Sequence, residues 1–169
     1  TGTAEAGSQV RVVMNSTVIG SATADGAGNW NFNYGAITLP EGSYQAGAFV
    51  VDAAGNTSAT SSLYGFSIDN TPPAAGVVEA VAPDSGIAGD GITANSQLIF
   101  SGTAEPDLPV AVYLDGVLLG TVQADGAGDW SYDHSAVALA DGTYQITAIV
   151  SDAAGNAAAE SAPLTVVVD

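Results

Sequence analysis

The segment DAAGN occurs at 52–56 and again at 152–156. Each copy follows a Tyr-led alternating run, YQAGAFVV at 44–51 and YQITAIVS at 144–151. Laying residues 1–69 on 101–169 at this fixed offset of 100 needs no gap and gives 28 identities. They include GTAE (2–5, 102–105), ADGAG (24–28, 124–128), Trp30 with Trp130, and the closing Asp69 with Asp169. A period of this length means a tandem array of one small domain. About 100 residues is enough for a compact domain with its own core. Residues 70–169 make one complete copy, whereas 1–69 match only its last two thirds. The expected domains are therefore 1–69, lacking its leading strands, and 70–169, complete.

Within each copy helical periodicity is nearly absent. Short alternating runs separated by Gly, Asp, Asn and Pro recur instead, which is the pattern of a sandwich or barrel. The complete copy reads as seven strands, at 75–82, 97–103, 109–114, 117–124, 129–135, 143–151 and 161–168. Alternation turns Leu98 and Phe100 to one face, then Val110, Val112 and Leu114, then Tyr144, Ile146, Ala148 and Val150, then Leu164, Val166 and Val168. Trp130, Tyr132 and His134 share a face on the fifth strand. In the first copy Val10, Val12 and Met14, then Trp30, Phe32 and Tyr34, then Tyr44, Ala46, Ala48 and Val50 take the matching places. The fold class predicted is all-β, a tandem of seven-stranded Greek-key immunoglobulin-like sandwiches. Tyr44 and Tyr144 each follow an acid–Gly corner and open the sixth strand, the placement of a tyrosine corner. The joint NTPP at 70–73 fixes φ twice and removes two donors, so it reads as an extended, stiff connection.

Charge narrows the function. Eighteen Asp and Glu stand against a single Arg11, with no Lys, for a net charge of −17. Such a surface excludes nucleic acid, which needs a basic footprint, and anionic membrane. The 47% hydrophobic content and the alternation argue against disorder. There is no Cys, so no disulfide staples the domains. No apolar run is long enough to span a membrane.

With one Arg, converging carboxylates need a metal ion, protonation or dispersal. Strand alternation places the linker, AEPD (104–107), ADGAGD (124–129) and DAAGN (152–156) at one pole. PDSGIAGDG (83–91), the turns at 115–116 and 140–142, and Asp169 go to the other. Asp69, leaving the first domain, then falls near Glu105, Asp107 and Asp152 of the second. Carboxylates and carbonyls without cations suit Ca2+, which takes six to eight oxygens. Asp69, Glu105, Asp107 and Asp152 form one candidate calcium set. Asp84 and Asp90, in a Gly-rich loop, form a second. No segment has the EF-hand spacing. The plainer reading, a turn residue capping its own backbone, suits Asp25, Asp115, Asp125 and Asp129.

The string GTAEPDLPVAVYLDGVLLGTVQADGAGDWSY, then LADGTYQITAIVSDAAGN and the NTPP joint, resembles bacterial immunoglobulin-like repeats. These are the extender repeats of giant RTX-type adhesins secreted by type I systems. The resemblance implies a secreted, cell-surface stalk, associated with cell adhesion and biofilm, that holds distal ligand-binding domains away from the cell. It also implies that calcium stiffens the joints between neighbouring repeats of the same chain. The family's ligands correspond here to Glu105 and Glu5, Asp152 and Asp52, and the linker acid Asp69. With no linker ahead of the first copy, Glu5 and Asp52 are expected to hold no ion.

Two rivals remain. Trp30 and Trp130 could form a stacking platform in a carbohydrate- or protein-binding module, although their alternation with Phe32 and Tyr132 makes them core residues. An enzyme has little support. His134 is the only histidine and its counterpart is Tyr34, an exchange that a packing residue tolerates and a catalytic one does not. A sandwich of 100 residues without long insertions offers no evident cleft for a small-molecule substrate.

Overall fold

The computed structural model describes residues 1–169, which form strands, turns and irregular segments but no helix. The chain divides into two compact units, Thr1–Asp69 and Asn70–Asp169. The first contains β1 (Gly2–Thr3), β2 (Gln9–Met14), β3 (Thr17–Thr23), β4 (Asn29–Trp30), β5 (Gly42–Val51) and β6 (Tyr64–Ile68). The second contains β7 (Val77–Ala82), β8 (Ile92–Thr93), β9 (Ile99–Thr103), β10 (Pro109–Leu114), β11 (Val117–Gln123), β12 (Asp129–Asp133), β13 (Gly142–Val150) and β14 (Leu164–Val168).

In the second unit a sheet ordered β11-β10-β13-β14-β8 faces a sheet ordered β12-β9-β7. Inward residues from both fill the space between them. Leu98, Phe100, Val110, Val112, Ile146, Ala148, Val150 and Val166 are each 0% exposed. Close approach within the smaller sheet depends on Gly102. A Cβ there would run into the carbonyl of Val77 and lie 2.7 Å from the Trp130 ring. Only the bare backbone lets β7 pair with β9 on one side while Trp130 folds over it.

In the first unit β3-β2-β5-β6 form the larger sheet and β1-β4 a two-stranded one. Val10 is 1% and Val12 8% exposed. Trp30, Ala46 and Ala48 are half-buried, where Trp130, Ile146 and Ala148 of the second unit are buried. The units share their hairpin chemistry. Asn15-Ser16 and Asp115-Gly116 turn β2–β3 and β10–β11, all four residues at positive φ. That backbone matches the right-handed twist of the flanking strands. The turn's own side chain then ties it to the next strand. Asn15 Oδ1 accepts the Gln45 N–H at 2.9 Å, and Asp115 Oδ1 accepts that of Gln145 at 2.8 Å.

The all-β class and the inward residues of β9, β10, β13 and β14 are as the alternation predicts. Several boundaries differ by one to three residues, and one strand is added. The fifth strand ends at Asp133, whose Oδ1 accepts the Ser135 N–H at 2.8 Å and so starts a turn. The seventh starts at Leu164, because Ser161 spends its side chain on the Ala148 N–H just before the ladder begins. An eighth strand, Ile92–Thr93, pairs in parallel with Val167–Val168. Two residues are too few to show a period, so sequence patterning misses it.

Both tyrosine corners form. Tyr44 donates its hydroxyl to the Pro40 carbonyl at 2.7 Å, and Tyr144 to that of Ala140 at 2.9 Å. Tyr144→Phe removes this bond and keeps the ring packed. It is expected to cost about 0.5–1.5 kcal/mol in denaturant titration, with the m-value unchanged.

Candidate metal sites in the acidic turns

The conserved geometry of the repeat lies in its Asp-led turns. Asp152 follows β13 and closes the DAAGN turn on itself. Its Oδ1 accepts the N–H of Ala154 at 2.9 Å and of Asn156 at 2.8 Å, and its Oδ2 accepts the Asn156 Nδ2–H at 2.8 Å. Asp52 does the same with Ala54 and Asn56. The ADGAG turns use one oxygen. Asp125 Oδ1 accepts from Ala127 and Asp129, and Asp25 Oδ1 from Ala27 and Asn29. These are Asx-type turns in which a short carboxylate replaces a backbone acceptor.

The donors favour the ionised form. The Asn156 side-chain bond holds Asp152 below the usual carboxylate range, the Asn56 side chain does so for Asp52, and backbone N–H groups do so for Asp25 and Asp125. Bonds to Ser135 lower Asp133 as well. Folded values below the unfolded one give stability that is present above the ordinary Asp value and lost as pH falls through the folded one. In chelator, the melting temperature is therefore expected to drop below about pH 4. That acid limb should be shallower in the double variant Asp125→Asn, Asp152→Asn.

Glu105 reaches across its unit. Its Oε1 accepts the Ala74 N–H at 2.6 Å, fixing the incoming chain against the AEPD turn. Asp107 sits at positive φ of 60° and donates its N–H to the Asp125 carbonyl at 3.2 Å. Its own carbonyl accepts from Gln123 Nε2 at 3.0 Å. AEPD and ADGAGD thus meet at one end of the second unit, as the strand directions require. At the other end, the Gly91 carbonyl accepts from Val167 and the Thr93 carbonyl from Asp169. Asp69 closes the first unit, one residue beyond β6.

In the 83–91 loop, Asp84 Oδ2 accepts the Gly89 N–H at 2.6 Å and Asp90 Oδ1 accepts that of Ile92 at 2.9 Å. Asp84 Oδ1 is buried and has no hydrogen-bond partner. This atom is the one buried side-chain oxygen of the loop without a donor, and a bound cation would satisfy it. No group of three or more His, Cys, Asp or Glu gathers into a metal cluster. Any ion here would have to complete its shell with carbonyls and water, which calcium accepts.

Sequence reading passed over two acids that reach strand threonines. Glu160 Oε1 accepts the Thr147 hydroxyl at 2.6 Å, and Glu79 Oε1 that of Thr103 at 3.0 Å. Glu79 sits at a register shift of β7 and Glu160 precedes β14, so strand alternation offered no signal for either. His134 packs on Phe100, ring centroids 5.8 Å apart, with Nε2 buried. Trp130 is 3% exposed, so it offers no face to a sugar.

A family model described as bacterial Ig-like domain matches residues 1–70 and 71–169. No curated protein matches the chain. Among solved structures, the fibronectin(III)-like modules of Clostridium thermocellum CbhA align over 100% of this chain and 82% of theirs, at 18% identity and TM-score 0.56. A Ca2+-stabilized adhesin that helps an Antarctic bacterium bind ice aligns over 96% of this chain, at 23% identity and TM-score 0.50. A 1.5-MDa bacterial ice-binding adhesin aligns over 97%, at 24% identity and TM-score 0.50. The chain spans 40% and 53% of those two adhesin chains, and the likeness is one of fold.

Proposed function

This chain belongs to the bacterial Ig-like domain family, as two domains in tandem, and on that premise we propose that it is a structural extender segment of a secreted bacterial surface adhesin. Its work is to add length and stiffness between the cell and distal adhesive domains, and it catalyses no reaction. Calcium is the ion that stiffens it. Asp69, Glu105, Asp107 and Asp152 would hold one ion at the joint between neighbouring repeats, and Asp84 with Asp90 a second within the 83–91 loop.

One observation carries this reading. Residues 70–169 contain no Lys or Arg, yet their turn acids are held ionised by local donors. No protein cation is available to neutralise them, and a bound divalent ion would supply directly the compensating charge that monovalent salt gives only by screening. Ca2+ stabilization of the similar Antarctic adhesin accords with it. Sites of extracellular type bind at roughly 10⁻⁴–10⁻³ M, so the segment would be loose in a cytosol and stiff outside the cell.

X-ray scattering in chelator and in calcium tests the reading. The maximum dimension should rise and the flexibility fall with calcium, and Asp69→Asn should abolish both changes. Identical profiles would reject a calcium-stiffened joint.

A further inference from the structure

The first unit differs from the second on the outer face of its larger sheet, and the differences point one way. Arg11 and Phe49 are direct partners across β2 and β5, and Val13 and Gly47 are the next pair. Partners across an antiparallel ladder share a face. Val12, Ala46 and Ala48 line the opposite, inner side with Trp30 and Phe32. On the outer side Val13, Val18, Phe49 and Leu63 wall a concavity of about 360 Å³, rimmed by Ser16, Gln45, Thr60 and Ser61. No charged residue lines it. At its margin, beside Phe49, stands the only Lys or Arg of the chain. Its guanidinium makes no ion pair in a protein with eighteen acids.

The second unit shows what this face looks like without those changes. Ala111 pairs with Ile149 and Tyr113 with Thr147. Thr147 is bonded there to Glu160. Relative to that face, the first unit gains a cation at position 11 and loses a carboxylate at 60. It also gains an aromatic ring at 49, and at Gly47 the missing side chain lets Leu63 and Thr60 close down on the strand. A Cβ at Gly47 would stand 2.8 Å from Leu63 Cδ2 and 3.2 Å from Thr60 Cγ2. The exchanges at 11 and 60 make the face receptive to negative charge, and Phe49 with Leu63 gives it an apolar wall.

We propose that this outer face of the first unit binds a small organic acid, with its carboxylate on Arg11 and an apolar body of about one ring against Phe49, Val13 and Leu63. A guanidinium suits a carboxylate because its planar donors match two oxygens at once. The volume is that of a small-ligand pocket. A free guanidinium also costs little to engage, because no internal ion pair has to break. The negative charge of the rest of the chain opposes any anion, so affinity should be millimolar and should improve when salt screens that repulsion.

The test is an amide-resolved NMR titration of the full chain with 3-phenylpropionate. Saturable shifts are expected at Val13, Gly47 and Phe49, and none at Tyr113, Thr147 and Ile149. Arg11→Gln should weaken binding by about tenfold or more while the melting temperature stays put. Thr60→Glu, which restores the carboxylate of the second unit, should do the same without touching Arg11. The neutral amide of the same acid should bind no better than Arg11→Gln allows. Equal binding of the amide would overturn the role of Arg11. Equal binding of glucuronate would overturn the apolar half of the site. Far tighter binding of a Phe-terminated tripeptide would replace the small acid with a protein C-terminus. The absence of any saturable shift would remove the site.

Discussion

Calcium at about 100 times the dissociation constant is expected to raise the melting temperature of the chelator-treated chain by roughly 10–20 °C. A ligand at that excess adds about 2.7 kcal/mol if it binds only the folded state. For a domain of this size each kcal/mol is worth roughly 4–8 °C. The sign is firm on charge alone, because a chain of −17 has every reason to favour a divalent cation when folded. Screening must be separated from binding. Sodium chloride at matched ionic strength relieves repulsion without coordinating, and should recover only a small part of the gain. Magnesium holds its water and demands octahedral geometry, so it should fall between the two. Asp84→Asn should remove the share contributed by the 83–91 loop, since that side chain carries the orphaned buried oxygen. A rise that sodium chloride matches would leave the acids as a solubilising surface.

Phe100→Ala is expected to destabilise the second unit by about 3–5 kcal/mol. Its melting transition should fall by at least roughly 12 °C, while that of the first unit stays in place. Phe100 is 0% exposed and lies on β9 between the two sheets, with Tyr132 opposite it in the ladder and the His134 ring against its own. Truncation leaves a hole that cannot collapse, because Gly102, two residues on, already lets β7 and Trp130 approach as closely as backbone allows. Calorimetry reads the two transitions separately. Calcium should stay bound in the variant below its melting point, since no turn acid touches the Phe100 ring. A cost below about 1 kcal/mol would mean that the core packs more loosely than close-packed interiors do.

Much of this was legible from residue order. Alternation at Val110 and Val112, and at Ile146, Ala148 and Val150, names core residues because a strand's period of two admits no other inward set. The Tyr corners could be named because an acid–Gly bend fixes where the phenol must reach. The turn role of Asp125 was readable because a short carboxylate followed by Gly-Ala-Gly has backbone donors within two to four residues. All of these are local rules, with cause and effect a few residues apart.

The rest depended on residues distant in sequence. Ile92–Thr93 becomes a strand only because Val167–Val168 runs alongside it. Glu105 finds its partner at Ala74, 31 residues away, and Asp84 keeps one oxygen unbonded because the loop folds over it. Arg11, in sequence only the one cation, is set by the ladder beside Phe49, at the margin of the concavity that Val13, Phe49 and Leu63 wall. The order of residues dictated the repeat, the strands and the charge, since each follows from periodicity and composition. Which oxygens, rings and cations meet was settled by the packing of the sheets, because that alone brings together groups that the chain keeps apart.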